Sequence, residues 1–124
     1  MPVESAKESG KERPPITELQ WRLPVSLDEN GNMVSLRDYA TGGHATIPFS
    51  ALSDVQRAAV AATRIEMFPG YEMASLSDGA ISKDRAVKEV RAGTKLGRQL
   101  AEIEYYIILK LLDETKQSEV GKNG

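Results

Sequence analysis

The segment from Thr94 to Leu112 restricts the fold most, because it has the spacing of one long helix with few charges near its end. Between Tyr105 and Leu112 the only charged residue is Lys110. At about 100° per residue, the segment carries two apolar stripes roughly 130° apart. One stripe contains Leu96, Leu100, Ile103, Ile107 and Leu111, and the other contains Tyr105, Ile108 and Leu112. Leaving the second stripe in water would forfeit roughly 1.5 to 3 kcal/mol per large side chain, so we expect another element or a second chain to cover it.

The length and composition are typical of one small domain with polar ends. The chain has 124 residues with 40% hydrophobic content, and we predict a disordered tail over 1–15, one domain over 16–117 and a second disordered tail over 118–124. The net charge of −2 and the absence of cysteine argue against an overall attraction to nucleic acid and exclude disulfides and thiolate metal sites. No secretory signal or membrane span is visible, so we expect a soluble cytoplasmic protein.

The first half of the domain has the patterns of β-structure. Apolar residues alternate with polar ones across 17–25, which predicts a strand. Asn30-Gly31 predicts a type I′ hairpin turn in which Leu27 opposes Val34 and Val25 opposes Leu36. A short third strand is expected over 44–49.

The second half has the patterns of helices. Ser53 and Gln56 form a capping-box signature before a helix that Pro69-Gly70 ends. After a connector over 71–80, Ser82 is expected to cap a helix over 83–92, and Gly93 to separate it from the long helix. The predicted fold is therefore α+β: an N-terminal β-hairpin or small antiparallel sheet packed on two to three helices, with the long C-terminal helix central. The predicted core comprises Trp21, Leu23, Val25, Leu36, Val55, Ile65, Leu100, Ile103 and Ile107.

Catalytic and metal signatures are weak. His44 is the only histidine, and an enzyme hypothesis would place it in a loop with Asp38 and Ser50. The calcium-loop resemblance that starts at Asp28 fails, because its glycine and its final glutamate are missing. Glu102 and Glu104 lack the histidines of carboxylate metal bundles and are interpreted as solvated charges. We predict no enzyme activity, no cofactor and no metal.

The segment from Lys83 to Arg98 supports an alternative function, because it contains six basic and two acidic residues. A helix, a glycine turn and a second helix resemble a helix-turn-helix arrangement. Possible nucleic-acid contacts are Lys83, Lys88, Arg91, Lys95 and Arg98. The second helix soon becomes apolar, however, which leaves few side chains to contact base edges.

The leading hypothesis is a small non-enzymatic accessory or adaptor protein that acts through protein-protein contacts as a homodimer. It rests on the apolar excess of the long helix, because a symmetric pair of such helices would bury the second stripe. Small residues four apart also permit close helix approach or mark a kink. The predicted partner or oligomer interface comprises Tyr105, Ile108, Leu112, Gly97 and Ala101, and no membrane partner is expected.

Overall fold

The computed structural model describes residues 16–42, 45–75 and 79–123, and it has the predicted α+β fold. Its strands are β1 (Pro24–Leu27), β2 (Met33–Ser35), β3 (Glu72–Ser75) and β4 (Gly79–Ser82). Its helices are α1 (Glu18–Arg22), α2 (Leu36–Thr41), α3 (Asp54–Met67), α4 (Lys83–Ala92) and α5 (Lys95–Asn123), with a 3-10 turn at Phe49–Ala51. Helix α5 contacts α2, α3 and α4, so the central position predicted for it is confirmed. It also extends past the predicted domain boundary at residue 117.

The N-terminal hairpin is confirmed, but its predicted turn and register are wrong. Ser26 pairs with Val34 and Leu27 with Met33, and the ladder is irregular between Pro24 and Ser26. Among the turn residues only Gly31 has a positive φ, of 86°, so this is not a type I′ turn. The Asp28 carboxylate accepts hydrogen bonds from the backbone N–H groups of residues 30 and 32, both at 2.9 Å. These bonds stabilise a longer loop and shift the register by one residue.

Two other β predictions are wrong because capping side chains start helices instead. Thr17 accepts a hydrogen bond from the N–H of Gln20, and α1 replaces the first part of the predicted strand over 17–25. Ser35 caps α2 in the same way. In the predicted third strand, the described residues contribute only a single bridge between Thr46 and Asp28. His44 lies outside the described residues, as does residue 43.

The helix boundaries of the second half are confirmed, whereas the connector before α4 is not a loop. Ser53 and Gln56 form a complete capping box at α3, and Ser82 caps α4. Gly93 ends α4 with φ 69°, and the Thr94 hydroxyl accepts from the N–H of Gly97 at the start of α5. The predicted connector over 71–80 contains the antiparallel pair of β3 and β4.

The core consists of two apolar clusters that α5 joins. The first lies among β1, α2, α3 and the later turns of α5, where Ile108 is completely buried. The second lies among α3, β4, α4 and the first turns of α5, around Leu100. Most of the predicted core is buried or partly buried, but Val55 is 79% exposed and Ile103 is 41% exposed. Those two assignments are wrong, because no described element packs over either side chain.

A buried ion pair connects α3 to α5. Arg64 is 1% exposed, and its Nε lies 2.9 Å from Oε1 of Glu104. Its two terminal nitrogens donate to the Pro24 carbonyl at 3.1 Å and to Oε1 of Gln20 at 2.8 Å. The interpretation of Glu104 as a solvated charge is therefore wrong. The hydroxyl of Tyr71 is also buried, without a hydrogen-bond partner among the described residues, and burial raises the pKa of this phenol, with a further contribution from the Glu104 charge.

Candidate functional site

The main concave feature of the described surface is a groove of about 650 Å³ between the start of α3, the end of α4 and the first turns of α5. Its volume lies within the roughly 300 to 1,000 Å³ that is common for binding sites. The lining residues are Asp54, Val55, Ala58, Ala59, Val90, Arg91, Ala92, Gly93, Gly97, Arg98, Ala101, Glu102 and Tyr105. We refer to this feature as the α3–α5 groove.

Small residues determine the depth of the α3–α5 groove. Ala58 and Ala59 on α3 face Ala101 across its base, and alanine leaves the helix backbones close to the surface. At Gly97 a Cβ atom would lie 1.9 Å from the carbonyl oxygen of Glu89, so α4 and α5 are in backbone contact there. The close approach predicted for the Gly97 row thus occurs between two helices of the same chain.

The charged residues of the groove are separated by sign. Arg91 and Arg98 lie at the end nearest Gly93, where Arg98 Nη1 donates to the Gly93 carbonyl at 2.8 Å. Asp54 and Glu102 act electrostatically on Tyr105. Burial is the main cause that raises the pKa of the Tyr105 phenol, a nearby arginine lowers it, and the two carboxylates raise it further. The groove is therefore basic at one end and acidic at the other.

Beside the groove, the outer face of α5 carries three exposed apolar side chains. Ile103, Tyr106 and Leu109 are 41%, 65% and 53% exposed. Their spacing of three residues keeps them within about 120° of the helix circumference. We call these residues the outer row. The Lys110 ammonium lies 5.8 Å from the Tyr106 ring centroid, so its charge partly covers that ring.

The structure places the predicted interface residues mostly inside the chain. Ile108 is fully buried, Ala101 is 4% exposed, and Gly97 is buried against α4. Tyr105 and Leu112 are partly buried, and the Tyr105 ring lies 5.8 Å from the ring of Phe49. The second stripe is thus largely covered by the chain itself and gives no separate reason for association. Of the predicted interface, Tyr105, Gly97 and Ala101 line the groove.

The sequence reading did not identify the outer row as a surface. A signal for it was present, since Val55 and Ile103 belong to apolar stripes but lie at positions where no described element covers them. Tyr106 and Leu109 were assigned to neither stripe. An apolar residue outside both stripes of an otherwise amphipathic helix marks such a face.

The predicted nucleic-acid contacts are spread over α4 and the start of α5, and some already have partners. Arg91 lies 3.2 Å from Glu66, and the Lys83 ammonium donates to the Glu66 backbone carbonyl at 3.1 Å. Lys88, Lys95 and Arg98 are exposed. Contacts within the chain therefore reduce the charge available to phosphates, and nucleic-acid binding stays a prediction.

Chemical sites and relatives give no further guidance. Among the described residues, no group of three or more metal-ligating side chains is placed to hold a metal ion. None of the described helices has the length and apolar character needed to cross a lipid bilayer. No family model matches the sequence. Comparison with curated proteins and with solved structures gave no match either.

Proposed function

We propose that this protein is a small non-enzymatic accessory or adaptor protein that acts through protein-protein contact, as a homodimer, and that the contact surface is the outer row of α5. The observation that carries the proposal is the exposure of Ile103, Tyr106 and Leu109 on successive turns of one helix. Isolated apolar residues are normal on protein surfaces, but a contiguous group is typical of interaction sites.

The surroundings of the outer row also support this proposal. Tyr106 has the side-chain type that is enriched at interface centres, because a tyrosine contributes a large contact area with little conformational entropy to lose. The α3–α5 groove lies next to this face and has the exposed Val55 at its edge. A partner that covers the outer row would thus meet a concave surface as well as a flat one.

Sedimentation velocity over a range of concentrations tests the proposal. We expect the chain to approach twice its 13.6 kDa mass as concentration rises. Tyr106→Glu and Leu109→Glu should shift the protein to the monomer without changing its far-UV circular dichroism, because both residues are exposed. Met33→Glu is the matched control, since Met33 is 40% exposed on the hairpin, away from α5. A wild-type chain that stays monomeric at all concentrations would contradict the homodimer.

A further inference from the structure

We infer that a second copy of this chain docks across the α3–α5 groove about a two-fold axis, with Arg98 of each copy against Glu102 of the other. This inference rests on the proposed function, because it specifies how the homodimer forms. It adds the occupant of the groove, the relative direction of the two α5 helices and the residues that determine both.

The groove and the outer row form one continuous strip along α5. Arg98, Glu102, Tyr105 and Leu109 are spaced by four, three and four residues, which places them on one line of the helix surface. The first three line the groove, and Leu109 belongs to the outer row. A helix that lies along this line would therefore contact both features at once.

The separation of charge along the strip favours a second copy as the occupant. Two arginines lie at the Gly93 end, and two carboxylates lie near Tyr105. In a two-fold contact the same surface is used twice in opposite directions, so the basic end of one copy meets the acidic end of the other. An unrelated partner would need this pattern independently, whereas a second copy supplies it through symmetry.

The geometry of the two central residues is compatible with such a pair. Both Arg98 and Glu102 are exposed. Arg98 donates through Nη1 to the Gly93 carbonyl, and a guanidinium group has further N–H donors for a carboxylate. The alanines at the base of the groove allow the second helix to approach closely enough for the pair to form.

Charge exchange tests this arrangement in the full chain. We expect Arg98→Glu and Glu102→Arg each to weaken dimerisation by about 10-fold or more, because each turns two symmetric attractions into repulsions. The double variant should recover most of the wild-type affinity, since it restores opposite charges at both contacts. Lys88→Glu, on α4 outside the groove lining, is the matched charge reversal and should leave the affinity unchanged.

Each outcome decides between the two proposals. A dimer that is insensitive to the single reversals overturns this arrangement but leaves the outer-row homodimer intact. A double variant as weak as the single variants also overturns it, because the loss would then come from the Arg98 contact with the Gly93 carbonyl or from another neighbour. A wild-type monomer rejects both proposals. Circular dichroism of every variant checks that the fold is retained.

Discussion

Replacing Arg64 by methionine should remove a large part of the stability of this fold. The substitution keeps most of the side-chain volume but leaves the Glu104 carboxylate, which is 8% exposed, without its 2.9 Å partner. It also removes the donors to the Pro24 carbonyl and to Gln20. Breaking a buried ion pair by removing one partner costs about 3 to 5 kcal/mol, mainly because the other charge stays buried.

The expected loss is a substantial share of the roughly 5 to 15 kcal/mol by which small domains are stable. With a urea m-value of about 2 kcal/mol/M, the unfolding midpoint should fall by roughly 1.5 to 2.5 M. We expect the double variant Arg64→Met/Glu104→Leu to recover most of this loss, because both buried charges are then absent. About 1 to 2 kcal/mol should remain lost, since two acceptors still lack their donor.

The assay is urea unfolding followed by far-UV circular dichroism at one fixed protein concentration, so that self-association contributes equally to every variant. Arg37→Met is the matched control, because Arg37 forms a 3.0 Å pair with Glu18 in which both side chains are more than half exposed. That variant should lose less than about 1 kcal/mol. An Arg64→Met protein within about 1 kcal/mol of wild type, or a double variant no more stable than the single one, would refute the reasoning.

Three further results are expected. Gly97→Ala should destabilise the chain by more than about 2 kcal/mol, because its Cβ would overlap the Glu89 carbonyl; Gly93→Ala, with open space at φ 69°, should cost only about 1 kcal/mol in thermal unfolding. Tyr71→Phe should keep or raise stability, since it deletes a buried hydroxyl that lacks a partner; because the folded-state pKa of Tyr71 is raised above 10.0, wild type should lose stability above about pH 10 and this variant should lose less. The backbone N–H group four residues later lowers the pKa of Asp28, so stability should fall as pH drops below about 3.8, and fall less in an Asp28→Ala variant.

The parts of the fold that the sequence predicted are those set by local chemistry. The capping box at Ser53, the cap at Ser82 and the left-handed turn at Gly93 each depend on atoms within a few residues. The errors at the N-terminal end have the same origin, since Thr17 and Ser35 cap short helices inside segments with strand-like alternation. Side-chain capping there outweighs the alternation, and alternation alone does not register it.

The reading of α5 failed for a long-range reason. Its buried face follows Gly97, Ala101, Glu104, Ile108 and Leu111, spaced by four, three, four and three residues. This single wide face lies between the two predicted stripes, and a charged residue is at its centre. Glu104 is buried only because Arg64 reaches it from a helix forty residues earlier. No local pattern contains that information, so one face was interpreted as two, and the outer row was not identified.

The correction to α5 changes the strength of association that we expect. Complete burial of a large apolar side chain contributes roughly 1.5 to 3 kcal/mol. The three outer-row side chains are already about half covered in the monomer, so both copies together would gain on the order of 5 to 9 kcal/mol from them. The lost rotational and translational freedom costs about 4 to 15 kcal/mol, which offsets most of that gain. We therefore expect a reversible dimer with a dissociation constant near or above about 1 μM. A dimer that persists at nanomolar concentration in fluorescence-detected sedimentation would show that the contact surface extends well beyond the groove and the outer row.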